Sequence, residues 1–182
     1  MSQLGIYPLK IKGLKGILFS PLIHKNLSHL ISNTIPLFVL SWGVFYFYRS
    51  LGYKIFLLSY LFSGIWIWFG AREGWHIGAS GLVYAFAAFV FASGIIRKRK
   101  ELMALTLVVV FLYGDLLWGM FPITKETDIS FEGHSLGALA GIILAVVYRK
   151  EGPQRILPQW DEENEENENT EEIDEEENIY DN

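Results

Sequence analysis

The sequence predicts an all-α polytopic transmembrane helical bundle, and three observations carry that prediction. Apolar residues make up 51% of the chain and gather into five stretches of 15 to 20 residues, close to the roughly 20 that a membrane-crossing helix needs. The links between stretches are short, so neighbouring spans must run antiparallel. Lys and Arg keep to the ends and links and divide unequally between the two sides.

Residues 1–28 hold Lys10, Lys12 and Lys15 and end in Ser20-Pro21 before the His24 loop. They read as an interfacial lead-in and outer loop, not a span. The early apolar run is too broken by Lys, Gly and Pro for a secretory signal peptide to be expected. The spans follow at His29–Tyr48, Lys54–Ala71, Ser80–Ile96, Leu102–Phe121 and His134–Tyr148, within a transmembrane domain over 29–150. The third is short. At about 1.5 Å per residue its 17 residues reach roughly 25 Å, less than the roughly 30 Å hydrocarbon core. With its far end at Arg97-Lys98-Arg99-Lys100, Ser80 begins below the opposite surface. Irregular backbone at that depth is tolerated only within protein or beside water.

Residues 151–182 form a separate regime. Asp161–Asn182 carries 13 of the 20 acidic residues and no Lys or Arg; without it the net charge changes from −5 to +8. Such a segment is too charged and too poor in apolar residues to fold, so a disordered acidic tail is expected. For orientation, nine basic residues (Arg49, Lys54, Arg97, Lys98, Arg99, Lys100, Arg149, Lys150 and Arg155) face six (Lys10, Lys12, Lys15, Lys25, Arg72 and Lys125). The positive-inside rule makes the side with nine cytoplasmic. A multi-pass protein of the cell membrane is expected, with the tail inside and Ser80 toward the outside.

The chain has no cysteine, which excludes disulfides, a thiolate nucleophile and thiolate metal sites. The residues able to carry chemistry form three groups. Gly78-Ala79-Ser80-Gly81 read alone is a packing motif, since Gly, Ala and Ser are common where membrane helices approach. His134 heads the last span, on one face with Gly137, Gly141 and Ala145. The pair Gly137 and Gly141 suits close approach of another helix, and Gly81, Ala87 and Ala88 offer a matching small face after Ser80. Both heads point outward, so Ser80 and His134 should lie at one depth and within hydrogen-bond reach. An ionisable side chain inside a membrane is a functional hypothesis by default, although a loop carbonyl could also satisfy the histidine. The third group is His24, His29 and Asn33, the last two sharing a helical face. With no H-E-x-x-H and no acidic third ligand nearby, no metal is expected. His29 and Asn33 make better sense as donors toward an oxyanion.

Two further residues need placing. Asp115 has no second acidic residue within a span, so an aspartyl-protease reading fails; it should face water or a hydrogen-bond partner near the outer end of its helix. His76, four residues before Ser80, reads as a rim residue. A proton or ion carrier using His134 and Asp115 would lack the inverted repeats and broken helices of transporters.

H-x-x-x-x-H-x-x-x-N at 24–33, G-x-S-G at 78–81 and G-H-x-x-G-x-x-x-G around His134 together resemble the rhomboid family of intramembrane serine proteases, over roughly residues 10–148. The resemblance implies Ser80 as nucleophile and His134 as general base in a dyad without the usual aspartate. It implies Asn33, His29 and the Ser80 backbone N–H as oxyanion donors beside Gly78, and Tyr84 stacked on His134. Transmembrane proteins would be the substrates and the lipid bilayer the medium, with no cofactor, metal or nucleic acid. Two departures stand out. The family's first span has no counterpart before the His24 loop, through truncation, a misplaced start or a five-span form. A Glu-bearing family pattern is absent where this chain has Trp42 to Arg49. A catalytically inactive rhomboid-like protein that binds membrane helices is the alternative.

Overall fold

The computed structural model describes residues 2–112, 120–121 and 130–154, and among them every regular element is helical. A four-residue helix α1 (Gly16–Phe19) lies in the lead-in. Five longer helices follow: α2 (Leu27–Phe47), α3 (Gly52–Gly70), α4 (Ser80–Ile96), α5 (Lys100–Leu112) and α6 (Phe131–Val147). Asp115, Trp118, Lys125, residues 113–119 of the expected fourth span and the acidic segment Asp161–Asn182 lie outside the described residues.

Local chemistry sets where the helices begin. Asn26 caps α2 by accepting the His29 backbone N–H at 2.8 Å, and Ser130 caps α6 by accepting that of Gly133 at 3.2 Å; each satisfies a donor that a helix start leaves without an internal partner. Because capping turns are polar or glycine-bearing, α2 and α6 start two and three residues before the apolar stretches suggest. Ala79, the residue before α4, supplies no side-chain cap.

α4 runs through the middle of the bundle. Leu82, Phe86, Phe89 and Val90 are buried against Leu40 and Val44 of α2, Ile55 of α3, Leu102 of α5 and Leu144 of α6. A helix apolar on all sides belongs at the centre. By contrast, Phe38, Trp42, Leu57, Phe69, Phe111 and Val147 stand outward, Phe111 being 86% exposed. Soluble monomers rarely carry so much apolar surface, and lipid suits it. α2 and α3 are long and apolar enough to cross a membrane; α4 and α6 have 17 residues each.

The tightest packing joins α4 to α6, which run parallel from a shared N-terminal end. A Cβ on Gly137 would strike the carbonyl of Gly81, and one on Gly141 the carbonyl of Ala85 and, at 2.8 Å, the backbone nitrogen of Phe89. The small face on α4 is therefore Gly81 and Ala85. Of the two alanines expected there, Ala88 is seven residues or about 700° on and stays in phase with Gly81, and Ala87 does not. Six residues from Gly81 turn about 600°, which puts Ala87 a third of a revolution away, and its carbonyl faces Thr106 of α5 at 3.4 Å. At the opposite end of these two helices Arg97, 3% exposed, donates to the carbonyls of Tyr148 and Glu151 at 2.5 Å each. Its guanidinium lies 5.3 Å above the Tyr48 ring. A cation is well placed where helix C-terminal carbonyls lack partners.

The lead-in is folded onto α3 and the loop before Ser80. The backbone of Leu9 donates to the carbonyl of Trp68 at 3.0 Å, the Trp68 indole donates to the carbonyl of Lys10 at 3.1 Å, and the Tyr60 hydroxyl donates to the carbonyl of Leu18. Ile6 and His76 exchange backbone bonds of 2.9 and 2.8 Å.

Candidate active site

Ser80 is the first residue of α4, delivered by the loop Ala71–Ala79. That loop hangs on the lead-in, because Gly78 donates its N–H to the carbonyl of buried Ser20 at 2.9 Å. Gly78 has a φ of +104°, which side-chain-bearing residues rarely adopt. A Cβ there would also lie 2.9 Å from the His29 ring. Both reasons require glycine two residues before the serine.

His134 lies in the first turn of α6. Its Nε2 is 2.8 Å from Ser80 Oγ. When that nitrogen carries the lone pair, the hydroxyl donates to it. The Tyr84 ring, one turn after Ser80, stacks on the imidazole at 4.2 Å between centroids and 13° between planes. The stack fixes the ring plane, and the Gly81–Gly137 approach fixes the helix separation. Ser80 and His134 are both half-buried, so the pair is not fully enclosed by protein.

His29 and Asn33 arrive from the first turns of α2. Asn33, 5% exposed, donates Nδ2–H to the carbonyl of His29 at 2.8 Å. Its Nδ2 lies 4.0 Å from where a Gly78 Cβ would stand, so both residues border the loop that carries Ser80. His24 precedes the helix and meets the His29 ring edge-on at 5.1 Å. Burial holds the His24 imidazole pKa below its ordinary value, against the opposing pull of a backbone bond at Leu22. Among the described residues no three His, Asp or Glu side chains converge.

His76 is not at the rim. It is 8% exposed, with Nε2 2.9 Å from the carbonyl of Arg72 and Nδ1 2.7 Å from Ser130 Oγ. Its backbone is taken up by Ile6, which draws the residue inward. Sequence reasoning missed Ser130 altogether, although a serine directly before an apolar helix is a legible cap.

Fold and site together define a helical membrane protein with a serine–histidine pair at the shared head of two parallel helices. The chain belongs to the rhomboid family: the Rhomboid domain profile matches residues 12–151. This is a family of intramembrane proteases, which act on membrane proteins within the bilayer. The chain is 35% identical over 158 residues to the uncharacterized protein Rv1337 of Mycobacterium tuberculosis, a match covering 83% of this chain and 65% of the relative. It is 33% identical over 161 residues to the uncharacterized protein ML1171 of Mycobacterium leprae, covering 83% of this chain and 62% of that one. The chain therefore spans a little under two thirds of the length of these relatives. No solved structure matches it.

Proposed function

We propose that the protein is an intramembrane serine endopeptidase that hydrolyses peptide bonds of transmembrane substrates with a Ser80–His134 dyad. The observation that carries this reading is the 2.8 Å contact between Ser80 Oγ and His134 Nε2, made by an imidazole stacked on Tyr84. A serine hydroxyl is a weak nucleophile until an adjacent base takes its proton. In the proposed reaction His134 Nε2 takes that proton as Oγ attacks the scissile carbonyl, then returns it to the leaving amine. Water hydrolyses the acyl-enzyme by the same route in reverse.

The developing oxyanion needs pre-aimed donors. Asn33 Nδ2 has a second N–H beyond the one given to His29, and the His29 ring lies alongside. The start of α4 contributes as well: with no side-chain cap at Ala79, the Ser80 N–H and the positive end of the helix dipole can face an anion. Five spans in this chain, an outward-facing site and a cytoplasmic tail belong to the same reading. So does the division at 1–28, 29–150 and 151–182, supported by the placing of basic residues.

A fluorophosphonate probe applied to the detergent-solubilised full chain tests the proposal. Wild type should label, and Ser80→Ala and His134→Ala should not. Labelling of Ser80→Ala at the wild-type level would end it, and an unlabelled but folded wild type would leave a helix-binding relative without proteolysis.

A further inference from the structure

We propose that His76 is a positioning residue for the reaction, holding the His134-bearing helix in register with Ser80 through its bond to Ser130; this rests on the dyad reading above. The two contacts have the same sequence offset. His76 and Ser130 are 54 residues apart, as are Ser80 and His134, and His76 and Ser130 each lie four residues before their counterpart. The chemistry is exchanged: the α4 side supplies serine below and histidine above, and the α6 side the reverse. One pair of segments is thus joined by two serine–imidazole contacts, four residues apart along each segment.

The proton positions in the upper contact follow from its partners. The carbonyl of Arg72, 2.9 Å from Nε2, can only accept, so Nε2 carries the hydrogen and Nδ1 the lone pair. The Ser130 hydroxyl then donates to Nδ1 at 2.7 Å, leaving its oxygen to accept the Gly133 N–H at 3.2 Å. For the neutral ring, one arrangement satisfies all three bonds. It also makes Ser130 both the cap of α6 and the acceptor's donor, so the helix start cannot shift without breaking the His76 bond. On the other side His76 is fixed to Ile6 by two backbone bonds. Arg72, which supplies the carbonyl, adds a second hold: its Nε is 3.5 Å from Glu132 Oε1 and its guanidinium is 5.3 Å from the Phe131 ring. Three segments, the lead-in, the loop before Ser80 and the head of α6, meet at one residue. A misplacement of about 1 Å in a reacting pair can cost on the order of 10²-fold in rate, and this junction limits that freedom.

The test uses the full chain in detergent, with three readouts: the fluorophosphonate labelling rate of Ser80 per folded molecule, kcat and KM on a model transmembrane substrate, and the melting temperature. Ser130→Gly keeps a residue that helix starts tolerate while deleting the hydroxyl; Ser130→Thr keeps the hydroxyl. We expect Ser130→Gly and His76→Leu each to lower labelling and kcat by about 10- to 100-fold with KM nearly unchanged. The double variant should be no worse than the poorer single one, and Ser130→Thr should stay within about threefold of wild type. His76→Asn, which can present an acceptor near the Nδ1 position, covers the case in which His76→Leu fails to fold, and should retain more rate than Ser130→Gly. Folded variants that label at the wild-type rate, a loss confined to KM, or fully additive losses would overturn the positioning role. A wild type that does not label would instead reject the dyad reading, and this inference with it.

Discussion

Asn33 Nδ2 and the His29 carbonyl are joined at 2.8 Å, so the α2 side of the site is ordered by a bond within one helix. Asn33→Ala removes a donor without touching serine or imidazole. If the amide also serves the oxyanion, turnover should fall about 10²–10³-fold, roughly 2.7–4 kcal/mol of barrier, with KM little changed. Steady-state cleavage and a melting curve on the same purified variant separate the outcomes. A less stable protein with normal turnover per folded molecule would leave Asn33 a purely structural residue.

Gly137 and Gly141 face main chain rather than side chains, and main chain cannot turn aside. Gly141→Ala would press its methyl into the carbonyl of Ala85 and the nitrogen of Phe89. Overpacking of this kind costs about 1–3 kcal/mol. Gly70 is the matched control, because its Cβ would meet Leu136 Cδ1 at an ordinary 3.4 Å. Thermal unfolding in one detergent should show Gly141→Ala clearly lowered and Gly70→Ala near wild type. Equal melting temperatures would mean that α4 and α6 can separate at no cost.

His24 supplies a pH dependence whose sign is fixed by burial. Its folded pKa is lowered from 6.5, so between the two values the unfolded chain binds more protons than the folded one. Stability from this group is therefore present above about 6.5 and is lost as pH falls through the window down to the folded pKa. His24→Asn should flatten the part of the melting-temperature profile below pH 6.5. An identical acid slope in that variant would assign the effect elsewhere.

Hydropathy located α4 to the residue, because Ser80 and Arg97 are abrupt changes at its ends. It misjudged the starts of α2 and α6 because Ser28, Glu132 and Gly133 are helical without being apolar. The proximity of Ser80 and His134 was legible from matched depth and from Gly137, and the small face opposite was legible in part, through Gly81. Ala87 is small too, and only helical phase shows that it turns away from α6. The ordered lead-in was hidden for another reason. Ile6 with His76, Ser20 with Gly78 and Leu9 with Trp68 meet through backbone groups, which every residue type possesses and which leave no mark on composition. His76 looked peripheral because nothing in its neighbours announced that both its faces would be covered.

The long-range polar ties also differ in what they ask of heredity. Tyr60, Trp68, Arg97 and Ser135 each donate to a carbonyl of Leu18, Lys10, Tyr148 or Met120. The receiving residue in such a tie can be exchanged for nearly any other while its carbonyl stays in place. Ser80 with His134 and His76 with Ser130 have a side chain at each end, so each pair can be lost through either member and regained only through both. Lineages drifting from this sequence are free to rewrite much of the bundle's acceptor surface one residue at a time. At these two contacts they must keep, or abandon, partners 54 positions apart together.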